Sequence, residues 1–330
     1  MLYILETNQS NGEVTTLEIL KNEYSFSSFT GLSDIYAQSW APKDASQIKA
    51  VIQIAHGMAE HSDRYEDFAK FLCENGYAAF ANDHIGHGKS VANDDDLGYF
   101  GERDGWLGFV NDAKQLTDIA KGEYPDKPII LFGHSMGSFI ARSYCEKFGG
   151  DLAGAVFCGT SGTNPMAGVA IKLANMVAKI KGSRYRSEFI NKMAFGAFNK
   201  KIEKPKTPFD WLSRDAEQVD KYIADKYCGF LFTAVGYRDM SMVLHSVSGK
   251  SWYTNVPFVL PMLLISGQSD PVGGYGKGIL QVYRDLKSTG HKNVIMKLYK
   301  NYRHEILNEI DKEVVYQDVV DWADKVLSEK

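Results

Sequence analysis

The sequence predicts an α/β protein built on a mostly parallel β-sheet that helices cover on both faces. Three observations support this. Short, continuous apolar runs alternate along the chain with longer segments of helical periodicity, and a Gly-x-Ser-x-Gly sequence follows one of those runs. The third is size, because 330 residues with 44% hydrophobic content can form one large domain, or one domain with an insertion. Continuous apolar strands are typical of parallel sheets that are buried on both faces.

The chain opens with three segments that resemble an antiparallel meander, at 15–20, 24–29 and 34–40. The strands predicted beyond them are 51–55, 77–81, 128–132, 152–158, 261–265 and 294–299. The predicted helices are 63–74, 105–121, 138–148, 275–286 and 313–327. In open sheets of this kind, the chemistry is carried by loops beyond the carboxyl ends of the strands.

Composition and chain ends limit the class of protein. No stretch approaches the roughly 18 apolar residues of a membrane span, and the segment 1–6 lacks the basic and apolar regions of a signal peptide. Cysteine occurs at four positions without any C-x-x-C pairing, namely Cys73, Cys145, Cys158 and Cys228. Unpaired cysteines fit the reduced thiols of a cytosolic protein, so a cytoplasmic location is expected.

The Gly-x-Ser-x-Gly sequence is formed by Gly133, His134, Ser135, Met136 and Gly137, directly behind the predicted strand 128–132. It fits a nucleophile elbow, in which a serine occupies a sharp turn between a strand and a helix. Such a turn strains the backbone, and small residues two positions before and after the serine let the strand and helix approach. An ordinary turn serine is the alternative, but the strand and helix around this motif favour Ser135 as a nucleophile.

A serine nucleophile needs a base, and eight histidines compete for that role. His304 follows the predicted strand 294–299 through a short loop, which places it at the carboxyl edge of the sheet. His134 adjoins the serine and is expected to point elsewhere, and His291 precedes a strand at the opposite end. His304 is therefore the predicted base, with a solvated loop histidine as the alternative.

The acid that orients this histidine is predicted to be Asp270, which follows the strand 261–265. A carboxylate there can accept a hydrogen bond from the imidazole and fix its tautomer. A turn aspartate before proline is the alternative role, and Asp239 is the reserve candidate for the acid. The order Ser135, Asp270, His304 is the chain order of the α/β-hydrolase triad.

Two backbone amides are predicted to form an oxyanion hole. One is the N–H of Met136, at the start of the helix behind the nucleophile. The other is the N–H of Met58, in the loop that begins with His56 and Gly57 after the strand 51–55. The glycine gives this loop the freedom to turn its amides towards the site.

Three longer motifs resemble the monoacylglycerol lipases and their lysophospholipase relatives. Residues 56–65 resemble the HGxxEHSxRY segment of that family, 83–90 resemble its DHxGHGxS loop, and 303–309 resemble the segment around its catalytic histidine. The matches extend from about residue 50 to 310. Two departures are Ala59, where glycine is frequent, and Ser138, where a second glycine often follows.

The resemblance implies an α/β-hydrolase core with a helical cap. Residues 1–159 and 256–330 would form the core, and 160–255 the cap. It also implies a serine hydrolase that cleaves monoacylglycerol-like esters through an acyl-enzyme, without a cofactor. His56, Gly57, Gly133, His134 and Gly137 would shape the site. Alternatives with the same triad are a lysophospholipase, a non-lipid esterase or a peptidase, and another class is a hydrolase-fold binding protein without turnover.

Clustered histidines suggest metal ligands as a further alternative. One set is His56, Glu60 and His61, and another is Asp83, His84 and His87. However, H-x-x-x-E-H is one residue longer than the zinc motif H-x-x-E-H, and glycine-bearing loops do not hold ligands on one helical face. No metal is expected, and these side chains are expected to form hydrogen bonds within the loops.

The predicted cap is strongly basic. Residues 172–206 contain ten Lys or Arg and two Glu, a net charge of +8, which leaves −12 for the rest of the chain. Apolar residues recur there at helical spacing: Met166, Val169, Ala170, Leu173, Met176, Val177 and Ile180. The favoured interpretation is a helix packed on the core with a solvated polar face, and the alternative is a lid that contacts anionic lipid headgroups. No segment resembles a nucleic-acid-binding module, and the sequence leaves the oligomeric state open.

Overall fold

A computed structural model describes residues 1–8 and 14–329. These residues form a nine-stranded sheet in the order β1-β2-β3-β5-β4-β6-β7-β8-β9, antiparallel from β1 through β3 to β5 and parallel from β5 to β9. The strands are β1 (Leu2–Asn8), β2 (Val14–Ser27), β3 (Asp34–Pro42), β4 (Ala50–Ala55), β5 (Tyr77–Asn82), β6 (Ile129–His134), β7 (Gly154–Cys158), β8 (Met262–Gly267) and β9 (Val294–Tyr299). The predicted mostly parallel α/β architecture is confirmed.

The amino-terminal meander differs from its prediction. Segments 15–20 and 24–29, predicted as separate strands, belong to the single strand β2, which ends at Ser27. Segment 34–40 lies in β3 as predicted, and β1 was not predicted. The polar residues Lys21, Asn22 and Glu23 suggest a turn, yet they continue the ladder opposite β3. Lys21 Nζ lies 3.2 Å from Asp63 and 2.9 Å from Glu66, so this polar residue between the two predicted segments is ion-paired within the strand.

Helices cover both faces of the sheet. They are α1 (Glu66–Glu74), α2 (Gly105–Glu123), α3 (Met136–Phe148), α4 (Ala167–Lys181), α5 (Glu188–Phe195), α6 (Ala216–Ala224), α7 (Ala234–Ser246), α8 (Lys250–Asn255), α9 (Lys277–Ser288) and α10 (Lys312–Ser328). Val51 of β4 packs in one core cluster with α2, α3 and α9, whereas Ile52 and Ile54 pack in a second cluster with α1 and α10. Burial on both faces explains why the central strands are continuously apolar.

Five of these helices, α4 to α8, lie between β7 and β8, where the cap was expected. In the described residues no helix combines the length and apolar character that crossing a membrane requires.

The base of this insertion is tied to α3 by Arg142, a fully buried residue. Its Nη1 donates to the carbonyl of Ser161 at 2.9 Å, and its Nη2 donates to the carbonyl of Val247 at 2.6 Å. The guanidinium also lies 4.3 Å from the ring centre of Trp252. Since Ser161 and Val247 lie near the two ends of the insertion, one side chain joins both ends to the helix behind Ser135.

Replacing Arg142 by methionine is expected to lower the free energy of unfolding by about 2–5 kcal/mol, because one buried and one partly buried carbonyl lose their donor. Urea denaturation measures the change. Arg284→Met, which alters an exposed arginine of α9, should change stability by less than about 0.5 kcal/mol. An Arg142→Met variant as stable as this control would show that the guanidinium does not hold the insertion.

Candidate active site

Ser135 occupies a strained turn between β6 and α3. Its backbone has φ +54° and ψ −120°, a region that a non-glycine residue adopts only when the surrounding structure enforces it. A Cβ atom at Gly133 would lie 2.3 Å from the carbonyl oxygen of Gly137, and one at Gly137 would lie 2.1 Å from that of Ala55. Both glycines are therefore required by the close approach of α3 to the sheet.

His304 and Asp270 follow neighbouring strands, β9 and β8, and meet at the carboxyl edge of the sheet. His304 Nδ1 lies 3.0 Å from Asp270 Oδ1, and both residues are buried. An ionised carboxylate only accepts hydrogen bonds, so Nδ1 carries the proton and Nε2 keeps a free lone pair. Asp270 also accepts from the amide of Val272 at 2.8 Å and the hydroxyl of Ser266 at 3.1 Å, which fixes the carboxylate plane.

Ser135 and His304 line one cavity of about 740 Å³, together with Gly57, Met58 and Met136. The cavity lies between the carboxyl edge of the sheet and the insertion. Apolar side chains of the insertion form much of its wall, including Leu173, Phe195, Phe209, Phe230, Met240 and Leu244. The sequence-predicted serine, histidine and amide donors thus meet at a single, largely apolar cavity.

The loop after β4 is held by His56. The amide of His84 donates to His56 Nε2 at 2.9 Å, so the imidazole proton is on Nδ1, which donates to the carbonyl of Gly57 at 2.8 Å. Burial, reinforced by His84 and His87, lowers the pKa of His56 well below its usual value. In a planar trans peptide the C=O and N–H point in opposite directions, so the N–H of Met58 is directed away from His56.

A buried ionic cluster connects this loop to the His304 loop. Glu60 Oε1 accepts from the amide of Gly57 at 2.5 Å, and its other oxygen pairs with Arg64. Arg64 also donates twice to Glu305, at 2.8 and 2.7 Å, and Glu305 adjoins His304. Burial disfavours the charge on Glu60, but Arg64 holds the pKa of this carboxyl well below its ordinary value.

His134 belongs to the same cluster. Its Nδ1 lies 3.4 Å from Glu60 Oε1, and its ring centre lies 4.8 Å from that of His304. Although burial alone would lower it, the pKa of His134 is raised, because Glu60 favours the charged imidazole. The sequence analysis assigned no role to Arg64 or Glu305, and to Glu60 only hydrogen bonds within its loop. The E-H-S-x-R-Y and H-E sequences were the available signal.

The other candidates for the acid and the base have different partners. Asp239 lies on α7 and pairs with Arg238, with its Oδ1 2.9 Å from that residue's Nε. His291 precedes β9, and its Nε2 lies 3.2 Å from the carbonyl of Val256.

The two histidine-rich sets were weighed as metal ligands, but in neither set do all three side chains meet at one point. Glu60 contacts Gly57 and Arg64, whereas His61 Nε2 lies 2.8 Å from Asp225. Asp83 accepts from the amides of Ser62 and Lys89, at 2.8 and 2.7 Å. Burial lowers the pKa of His84 to about 4 and that of His87 to about 3.

Ala59 adopts φ +50°, a left-handed conformation that favours glycine. The chain therefore has alanine where the backbone conformation favours glycine.

Known proteins resemble this chain over most of its length. The family model described as serine aminopeptidase, S33, matches residues 46–311. A monoacylglycerol lipase of Mycolicibacterium smegmatis is 29% identical over 302 residues, covering 92% of this chain and 96% of the relative. Human monoglyceride lipase is 27% identical over 281 residues, with 84% and 81% covered.

Among solved structures, a thermostable carboxyl esterase from Bacillus coagulans in complex with glycerol superposes with a TM-score of 0.87. It is 32% identical, and the match covers 93% of this chain and 99% of that one. The chain is therefore an α/β-hydrolase, belongs to the serine aminopeptidase S33 family, and is similar within it to the monoacylglycerol lipases.

Proposed function

We propose that this protein is a serine hydrolase that cleaves carboxylic esters of small, monoacylglycerol-like lipids through an acyl-enzyme. The observation that carries the proposal is the geometry of three residues. Ser135 lies at a strained turn and shares a cavity with His304, whose Nδ1 is hydrogen-bonded to buried Asp270. This is the nucleophile, base and orienting acid of acyl transfer.

In this mechanism Ser135 Oγ attacks the ester carbonyl while His304 Nε2 takes the hydroxyl proton. Asp270 keeps the imidazole in the required tautomer and stabilises the imidazolium. The tetrahedral intermediate expels the alcohol, which receives the proton from His304. A water molecule, deprotonated by the same imidazole, then attacks the acyl-enzyme and releases the acid.

The amides of Met58 and Met136 would stabilise the negative oxygen of each tetrahedral intermediate. Met136 is the first residue of α3, so its N–H is not used within the helix. The N–H of Met58 is oriented by the hydrogen bond between His56 and the Gly57 carbonyl.

The cavity supports an apolar acyl group as part of the substrate. Its volume of about 740 Å³ lies in the range of small-molecule sites, which is about 300–1,000 Å³. The named relatives act on monoacylglycerols, whereas the family description is of an aminopeptidase. Lysophospholipids, non-lipid esters and peptides are therefore the alternatives.

A substrate panel that varies acyl length and alcohol independently tests this assignment. We expect turnover of monoacylglycerols, and little cleavage of aminoacyl amides. Preference for a lysophospholipid would move the enzyme to the lysophospholipase alternative. Cleavage of aminoacyl amides without ester hydrolysis would contradict the esterase proposal, and no turnover of any member would favour a binding protein.

We further propose that the insertion, residues 160–255, is a cap that makes peripheral contact with anionic membrane surfaces on the cytoplasmic side. Of the apolar stripe on and just before α4, Met166, Val169, Met176 and Ile180 are 53–69% exposed. Met166 and Val169, like Met193 of α5, also line the cavity, so they would lie at its entrance. The expectation that this stripe packs on the core is therefore wrong for these four exposed residues. The inward face is formed by Ala167 and Ala174, which are buried, together with Leu173 and Val177, which pack against the core. Phe189 and Met193 of α5 are similarly exposed, in the segment of net charge +8.

If the cap contacts membrane, the protein should bind anionic vesicles more strongly than neutral ones. Each basic residue near such a surface contributes about 1 kcal/mol, screened over roughly 8–10 Å at physiological salt, so binding should weaken steeply with added salt. The triple variant Lys172→Glu, Lys179→Glu and Lys181→Glu should abolish it in a vesicle sedimentation assay. Hydrolysis of a short, water-soluble ester should survive.

A matched control reverses three exposed lysines of the core, Lys292, Lys300 and Lys325, and should leave vesicle binding largely intact. If the native protein shows no preference for anionic vesicles at low salt, the basic face is only solvated. The membrane proposal would then be withdrawn, and the esterase proposal would stand.

Catalysis is expected to need no metal, because the triad and two backbone amides complete the chemistry. Dialysis against EDTA should leave esterase activity unchanged, as measured with a soluble ester before and after treatment. Loss of activity that Zn²⁺ restores would contradict the proposed mechanism.

A further inference from the structure

We propose that His61, Asp225 and Cys228 form a binding site for Zn²⁺ that joins the insertion to the loop carrying Met58. One ligand atom from each side chain lies within 4.8 Å of the other two. The closest pair is His61 Nε2 and Asp225 Oδ2, at 2.8 Å. His61 follows β4 and the loop 56–60, whereas Asp225 and Cys228 lie between α6 and α7, so only the folded chain brings the three together.

The three kinds of ligand atom in this site favour zinc over other common divalent cations. Imidazole nitrogen, thiolate sulfur and carboxylate oxygen are the ligands of zinc, whereas Mg²⁺ and Ca²⁺ take oxygen ligands. Bonds of about 2.0–2.3 Å in a tetrahedral site separate the donors by roughly 3.3–3.8 Å. The His61–Asp225 pair would therefore separate by about 1 Å or less. Water would complete the fourth position, and the Asp225 side chain, 32% exposed, provides access.

The charges around the site permit a divalent cation. Arg64 lies near Cys228, but it is already paired with two carboxylates, Glu60 and Glu305, and Lys226 pairs with Asp94. Burial raises the pKa of the Cys228 thiol, an effect that Arg64 only partly opposes, so the metal-free thiol is protonated. A metal would displace that proton, since only the thiolate is a ligand. The proton on His61 Nε2 would move to Nδ1.

A metal at this site would strengthen the contact between the insertion and the loop that carries Met58. The insertion already contacts the same loop through Ala59, whose carbonyl accepts from the amide of Gly229 at 2.9 Å and the hydroxyl of Tyr222 at 3.0 Å. A metal held by His61 would strengthen this junction three residues from Met58. None of its ligands is Ser135, Asp270 or His304, so the site is independent of the proposed catalytic mechanism.

Zinc titration of the full chain tests the site. The protein is first treated with EDTA to remove any metal, and the EDTA is then removed. Calorimetry at pH 8 should give one Zn²⁺ per chain and release of the Cys228 thiol proton, because only the thiolate is a ligand. Thermal unfolding should move to higher temperature with Zn²⁺. Mg²⁺ and Ca²⁺ should not compete, and Co²⁺ should give a thiolate charge-transfer band in the near ultraviolet.

Cys228→Ser and Asp225→Asn should each weaken Zn²⁺ binding at least tenfold, and Cys228→Ser should abolish the cobalt band. His245→Gln is the matched control, because it removes an exposed histidine of the same insertion and should bind Zn²⁺ like the native chain. Circular dichroism identifies any variant that fails to fold. Binding below one equivalent, or native affinity in Cys228→Ser, would overturn the proposal, whereas ester turnover by the metal-free protein tests the catalytic mechanism separately.

Discussion

Replacing Ser135 by alanine is expected to reduce kcat for ester hydrolysis by about 10⁶-fold while leaving the protein folded. The hydroxyl is the only part of the side chain that takes part in the proposed chemistry. Loss of one γ-oxygen at the turn creates no cavity of consequence, and alanine retains the Cβ that the elbow already accommodates. Steady-state kinetics on a soluble ester measure the loss, and circular dichroism checks the fold.

Ser241→Ala provides the control, because Ser241 also lines the cavity but donates its hydroxyl within α7, to the carbonyl of Tyr237. This variant should keep near-normal kcat. Near-normal turnover by Ser135→Ala would remove Ser135 from the nucleophile role.

His304→Ala should cost a similar factor, because a serine without its base is a poor nucleophile. The two residues act as a unit, so the double variant should be about as slow as either single variant, and not slower by the product. His245→Ala, at an exposed position, is the control. Multiplicative losses would indicate that Ser135 and His304 act in separate steps.

Asp270→Asn is expected to reduce kcat by about 10⁴-fold. The asparagine NH₂ can donate to His304 Nδ1, which would place the imidazole proton on Nε2 and leave no lone pair facing Ser135. With the NH₂ group at the Oδ1 position, the amide oxygen still accepts from Ser266, whereas the Val272 amide loses its acceptor. A modest loss of stability should therefore accompany the much larger loss in kcat.

Asp239→Asn distinguishes the two candidate acids. Asp239 pairs with Arg238 on α7 and should be dispensable for the chemical step, although its burial predicts some loss of stability. If Asp239→Asn lost activity and Asp270→Asn retained it, the roles assigned to these two aspartates would be exchanged.

Local patterns predicted the parallel core, because burial on both faces makes a strand continuously apolar. They failed where a distant partner decides the structure. The run Lys21 to Glu23 suggests a turn by composition, but Lys21 is paired with Asp63 and Glu66 within a continuous strand. On α4 the spacing predicts an amphipathic helix, but not that two alanines are its fully buried residues while Met176 and Ile180 are exposed.

In the candidate site, too, local patterns predicted some residues and missed those that are paired across long sequence distances. Ser135 could be found from its motif, and Asp270 and His304 from their positions after predicted strands. The pairing of Arg64 with Glu305 spans 241 residues, and that of His61 with Asp225 spans 164. Periodicity contains no information about such contacts, so the ionic cluster behind the site, and the grouping of His61 with Asp225 and Cys228, emerged only from the folded chain.

The central claim is that Ser135 is the residue that becomes acylated. It is tested most directly by reacting the native protein with a fluorophosphonate and locating the adduct by mass spectrometry of intact protein and peptides. We predict one adduct per chain, on Ser135, with none in Ser135→Ala and a much slower reaction in His304→Ala. An unreactive native protein, or an adduct that forms equally fast on another residue in Ser135→Ala, would contradict the claim.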